Sequence, residues 1–267
     1  MTPAVDRERP PRSTRTLAVV GILAVIGVIG LTALGIWQLE RLGWKLRLID
    51  EVQHRVHAAA VAAPGPAAWP TINADDDEYR RVSASGQYLN DRETLTQAVT
   101  ERGAGYWVMT PFRTDQGFTV LVNRGFVPSD HREPSTRAAG QIAGHAVVTG
   151  LMRMTEPGGG FLRSNDPKAD RWYSRDVAAI AATRQLTEVA PYFIDADATP
   201  NPGGLPVGGL TVLDFPNNHL IYALTWFALA LMLAGAIIYA AREEWRVRRA
   251  FRSEREPPTP SAGPSAH

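Results

Sequence analysis

Residues 17–37 read LAVVGILAVIGVIGLTALGIW, and no charged side chain interrupts them. As a helix rising ~1.5 Å per residue, this run is about 30 Å long, which matches the hydrocarbon thickness of a bilayer. Residues 220–241 read LIYALTWFALALMLAGAIIYAA, equally long and uncharged. Both runs exceed what a core helix of a small domain needs. The slightly negative mean hydropathy of the 267-residue chain conceals these two peaks. The reading is an α+β membrane protein with one transmembrane helix near each end. The first run is too long for the apolar part of a signal peptide and ends in Gly35-Ile-Trp-Gln, without a small-residue cleavage pattern. It is therefore read as a retained anchor.

The flanks set an expected orientation. Arg7, Arg9, Arg12 and Arg15 precede the first span, and Arg242, Arg246, Arg248, Arg249 and Arg252 follow the second. Basic flanks stay on the cytoplasmic side, although Arg41, Lys45 and Arg47 beyond the first span pull the other way. The expectation is both termini cytoplasmic and the middle outside, in a bacterial cell membrane. A net charge of +1 argues against nucleic acid as a partner. With no cysteine, disulfides, thiolate nucleophiles, iron–sulfur clusters and cysteine zinc sites are excluded.

Between the spans the texture changes. Residues 1–16 are polar and expected to be disordered, as is the chain after Pro257 in the basic tail 242–267. Leu39, Leu42, Leu46 and Ile49 keep helical spacing, so a juxtamembrane helix is predicted over 38–57. Residues 58–78 read as an Ala/Pro/Gly linker ending in the acidic loop Asp75-Asp76-Asp77-Glu78. From residue 79 to 218 the chain reads as a mainly antiparallel β domain with one or two short helices. Strands are predicted over 79–88, 93–99, 106–112, 118–127, 145–154 and 191–197, separated by Asn-Asp, Arg-Gly and Gln-Gly turn signals. Gly158-Gly-Gly is read as a flexible turn. Ser174 is the expected N-cap of a short helix, with Asp176 in its first turn.

No nucleophile–base motif, H-E-x-x-H or phosphate loop appears. His54 and His57 have a metal-pair spacing but no third ligand, so they read as a solvated helix face. The start of the second span, Asn217-Asn-His-Leu-Ile-Tyr-Ala-Leu-Thr-Trp-Phe, is different. His219, Tyr222 and Trp226 fall at i, i+3 and i+7, on one helix face. A neutral imidazole there can serve as an axial ligand to haem iron, with Asn217 or Asn218 orienting its second nitrogen and Tyr222 and Trp226 packing on the macrocycle just below. Interfacial aromatics and a helix cap explain the same residues without a ligand. On the first helix Trp37, Arg41 and Trp44 share a face. Arg41 is a candidate for an anionic group such as a propionate, against plain snorkelling beside a tryptophan belt.

Several ordered segments together resemble the Surfeit locus protein 1 family of cytochrome c oxidase assembly factors. They are Gly35-Ile-Trp-Gln-Leu-Glu-Arg-Leu-Gly-Trp-Lys, Tyr79-Arg-Arg-Val-Ser-Ala-Ser-Gly-Gln-Tyr, Gly105-Tyr-Trp-Val-Met-Thr-Pro-Phe and Val120-Leu-Val-Asn-Arg-Gly-Phe-Val-Pro. Asn165-Asp-Pro with Trp172, Pro191-Tyr-Phe-Ile and the 217–227 segment follow in order. Ile221 departs from the pattern, where a polar residue is expected. The resemblance implies a non-enzymatic role in maturing the oxidase. It further implies that haem a would be captured at His219, with Trp226 as the pocket aromatic, and passed on. Haem a synthase, the haem-bearing oxidase subunit and the lipid bilayer are the implied partners. Arg124 and Gly125 are expected to be structural, in a strand and its turn. The rival expectation is a haem-free scaffold that stabilises the subunit during assembly.

Overall fold

The computed structural model describes residues 12–160, 162–213 and 215–253. The chain divides into two compact units, one of residues 1–47 with 215–267 and the other of residues 48–214.

The first unit is a pair of helices, each long and apolar enough to cross a membrane. Helix α1 runs Thr14–His57, the first predicted span and the juxtamembrane stretch in one element. Thr14–Thr16, expected to be disordered, already belong to it, because Ser13 accepts the Thr16 amide through its hydroxyl and starts the helix. Of the other residues expected to be disordered, 1–11 and the chain after Pro257 lie outside the described residues.

In the second unit, after the end of α1, comes the segment read as a linker, and that reading is corrected. Strand β1 (Val61–Ala62) pairs parallel to the first long strand. Ala63 is buried, and Trp69 meets Phe118 edge-on at 5.9 Å while its indole N–H donates to the Pro64 carbonyl. Ala63, Trp69 and Ile72 of this stretch thus pack into the domain's core. The acidic loop is a single turn, α2 (Ala74–Asp77), capped by Asn73, whose side chain accepts from the Asp76 amide.

The strands follow as β2 (Arg81–Tyr88), β3 (Thr94–Thr100), β4 (Gly103–Thr114), β5 (Thr119–Pro128) and β6 (His145–Met154). Gly158-Gly-Gly is ordered in a small hairpin, β7 (Gly159–Gly160) with β8 (Arg163–Ser164). Helix α3 (Val177–Thr183) precedes β9 (Val189–Ala196). Its cap is Asp176, whose carboxylate accepts the Ala179 amide; Ser174 instead donates to the Glu156 carbonyl. The final helix is α4 (His219–Ser253), which belongs to the first unit.

The sheet order is β1-β2-β6-β9-β5-β4-β3, and β2 also pairs with β4. Strands β2, β6, β9, β5 and β4 therefore close into a barrel. Closure removes open sheet edges, which is how small β domains avoid edge-to-edge association. Most pairs are antiparallel, but β5–β9 and β1–β2 are parallel. The barrel interior holds Val82, Phe112, Phe118, Val120, Val122, Met152, Tyr192 and Ile194. The opposite faces of β4, β5 and β9 pack Met109, Leu121 and Phe193 against Trp172, Val177 and Ile180 under α3. β5 is thus covered on both sides, and that is why its sequence runs apolar continuously rather than alternating.

Candidate functional site

In the helix pair, α1 and α4 run antiparallel. Leu233 packs at Gly27, Phe227 at Gly35 and His219 at Gln38. Gly35 is buried, and a methyl group placed on it would come within 2.6 Å of the Phe227 ring. Ala223 and Ala230 line the same seam from α4. Small residues at these turns let the backbones approach, which is how apolar helices gain van der Waals contact. At the far end the Glu244 carboxylate accepts from the Arg12 amide and pairs with Arg248 at 3.0 Å.

The seam delivers His219 to Gln38. The imidazole Nδ1 lies 2.8 Å from the Gln38 Oε1. With the carbonyl oxygen of Gln38 turned to the ring, Nδ1 is the donor, and in a neutral ring bonded this way Nε2 keeps its lone pair. A neutral imidazole with a free Nε2 is the donor type that haem iron takes. For Asn217 and Asn218, expected to orient the ring, no hydrogen bond to it is found among the described residues: the Asn217 Oδ1 is buried without a partner there, and Asn218 accepts the Tyr222 amide through its backbone. Gln38 was missed because it lies 181 positions away in sequence. The available signal was a polar amide three residues after Gly35, at helical spacing to the seam.

The other predicted residues are placed as follows. Trp226 is half-buried beside the seam residues Ala223 and Phe227, while Tyr222 is exposed. Trp37 and Arg41 are exposed on α1, and the Arg41 guanidinium stacks 4.1 Å from the Trp44 ring centroid. Lys45 lies 5.4 Å from the Phe215 ring. His54 sits 3.6 Å from Asp50 and His57 bonds to the Gln53 carbonyl. Among the described residues no cluster of three or more His, Asp or Glu has metal-binding geometry.

The barrel unit carries a buried polar centre that sequence reasoning did not find. Asp195 on β9 accepts from Asn123 (2.8 Å), Arg153 (3.1 Å), Arg175 (3.1 Å) and Thr211 (3.0 Å). It faces a cavity of about 180 Å³ lined also by Trp107. Arg153 reaches Glu78 and Arg175 reaches Glu156, so two guanidiniums are shared by three carboxylates. Burial alone would raise the Glu156 carboxyl, but the hydrogen bonds and charge of Arg175 outweigh it and hold the carboxyl below its usual range. Every Asp195 oxygen is taken up by these donors, which makes the centre a clasp.

Arg124 and Gly125 both sit inside β5 rather than one of them in a turn. Arg124 is buried over the Tyr88 ring at 4.5 Å and donates to the Asn201 Oδ1 at 2.9 Å. Burial lowers the pKa of its guanidinium and raises that of the Tyr88 phenol. Gly125 adopts φ +122°, with the Val207 carbonyl where a side chain would stand. These residues anchor the segment that crosses β5 at Phe126 and Val207.

A model of the SURF1 family matches residues 25–231. The chain is 37% identical over 214 residues to Surfeit locus protein 1 of Homo sapiens, covering 74% of this chain and 69% of that protein. It is 37% identical over 212 residues to the Mus musculus protein, covering 73% and 67%. A SURF1-like protein of Monosiga brevicollis is 37% identical over 226 residues, covering 79% and 83%.

Proposed function

Because the chain belongs to the SURF1 family, known as assembly factors for cytochrome c oxidase, we propose that it is a membrane-anchored haem a carrier. In this reading α1 and α4 span a bacterial cell membrane, with both termini cytoplasmic and the barrel outside. The observation that carries it is the His219–Gln38 bond, which leaves Nε2 as a ligand nitrogen at the first residue of α4. Placed at the outer boundary of the bilayer, His219 takes the iron of haem a. Trp226 gives the macrocycle an aromatic wall, and Arg41, on the α1 stretch just past Gln38, meets a propionate. The haem is cargo here, so the chemistry required is capture and release. A single protein nitrogen suits that task better than a closed two-ligand site. Haem a synthase supplies the cargo, the haem-bearing oxidase subunit receives it, and the barrel docks one or both.

The test is the visible spectrum of the full chain, purified in detergent from cells that make haem a, beside His219→Ala. Stoichiometric haem a in the wild type and its loss in the variant is the expected result. Equal haem in both proteins would refute His219 as ligand. A colourless wild type from haem a-containing cells would replace the carrier with a haem-free scaffold for the oxidase subunit.

A further inference from the structure

Resting on the carrier reading for its haem arm, we infer that Gln38 is the positioning residue of the site: it fixes the tautomer of His219 and, through a neutral amide, keeps the ligand weak enough to release. His219 is the first residue of α4, so no preceding helical turn wedges its ring. Among the described residues no hydrogen bond joins the two asparagines before it to the ring. The contact that orients it comes from Gln38, 2.8 Å away on the facing helix. Gln38 is itself placed by the helix crossing, because buried Gly35 lies one turn earlier and seats Phe227.

The chemistry of that contact decides two things. First, Oε1 accepts only, so the ring is held as the Nδ1–H tautomer and Nε2 is the nitrogen offered to a metal. A histidine side chain free in water favours the opposite tautomer, with the proton on Nε2, which cannot ligate until it shifts. Gln38 thus prepares the ligand before cargo arrives. Second, the acceptor is neutral. A carboxylate at this position would draw on the Nδ1 proton more strongly, since charge-assisted hydrogen bonds are about twice as strong as neutral ones. It would make Nε2 the more basic and tighter ligand. A glutamine orients the ring without that gain, which fits a protein that has to hand its cargo on.

The experiment uses the full chain in detergent micelles with 15N-labelled histidine, comparing wild type, Gln38→Leu and Gln38→Glu, with His219→Ala to assign the signal. Without haem, the His219 nitrogens of the wild type should show a protonated Nδ1 and an unprotonated Nε2. Gln38→Glu, which keeps the accepting oxygen, should preserve that pattern. Gln38→Leu, similar in size but without an acceptor, should move the proton to Nε2. With haem a added, Gln38→Leu should bind roughly 10–100-fold more weakly, the usual loss when an outer partner of a metal ligand is removed. Gln38→Glu should release haem to apomyoglobin more slowly than wild type. A wild-type Nε2–H tautomer, or a Gln38→Leu protein with unchanged tautomer and unchanged haem retention, overturns the inference. If the wild type takes up no haem, the carrier reading fails, and the nitrogen signals of the haem-free proteins still decide whether Gln38 sets the tautomer.

Discussion

Asp195→Asn changes one atom type at the centre of the barrel's polar clasp, and its cost follows from the donors around it. Asp195 is 3% exposed. One carboxylate oxygen faces the Asn123 amide and the Arg175 guanidinium, and the other faces Arg153 and the Thr211 hydroxyl. An asparagine must turn its NH2 toward one pair or the other, and either way a donor meets a guanidinium. Turned toward Arg153, it spares the Thr211 contact, because a hydroxyl can reverse and accept. Turned toward Asn123 and Arg175, it loses both. A hydrogen bond to a charged group contributes about 1.5–3 kcal/mol, and removing one partner of a buried ion pair costs about 3–5 kcal/mol. For a domain of this size, that lowers the melting temperature by about 6–20 °C. The assay is near-UV circular dichroism of the full chain on heating in detergent. Asp115→Asn serves as control, because its pairing with His145 is exposed on both sides and exposed pairs are worth about 0–1 kcal/mol. If Asp195→Asn melts within about 2 °C of wild type, against the shift expected for a domain of this size, then Glu78 and Glu156 alone satisfy both arginines and the clasp argument is wrong.

Two further outcomes test the same domain. Gly125→Ala puts a methyl group 2.0 Å from the Val207 carbonyl oxygen, at a φ that side chains rarely adopt. It should cost at least about 1–3 kcal/mol and expose the Val207 amide, now bonded to the Phe126 carbonyl at 2.9 Å, to fast hydrogen exchange; unchanged protection of that amide would count against it. Glu156 has its folded-state pKa lowered, so its stabilisation is complete above the ordinary carboxylate value and is lost as pH falls through the lowered one. Wild type should therefore lose melting temperature more steeply below about pH 4.3 than Glu156→Gln does, and parallel acid profiles would show that the Arg175–Glu156 pair contributes no pH dependence.

Much of the fold was legible residue by residue. The two apolar runs became α1 and α4, because length and composition decide a helix of that kind whatever surrounds it. His145–Met154 was placed at its observed boundaries and β5 nearly so, since β-branched runs between turn signals carry their own evidence. Barrel closure was not legible. It depends on β2 pairing with both β6 and β4 and on the parallel β5–β9 contact, and neither leaves a local pattern. The 58–78 segment looked like a linker because Ala and Pro carry no periodic signal, while its few apolar side chains find their partners only once the barrel exists. The same division runs through the two polar sites. The sequence alone marked His219 as a residue of interest, because a histidine at the head of an apolar helix stands out by type and position. What its Nδ1 meets was decided by Gln38, and what Asp195 holds was decided by Asn123, Arg153, Arg175 and Thr211. Hydrogen bonds between residues far apart in the chain exist only after packing brings them within about 3 Å, so the tertiary structure alone could assign them.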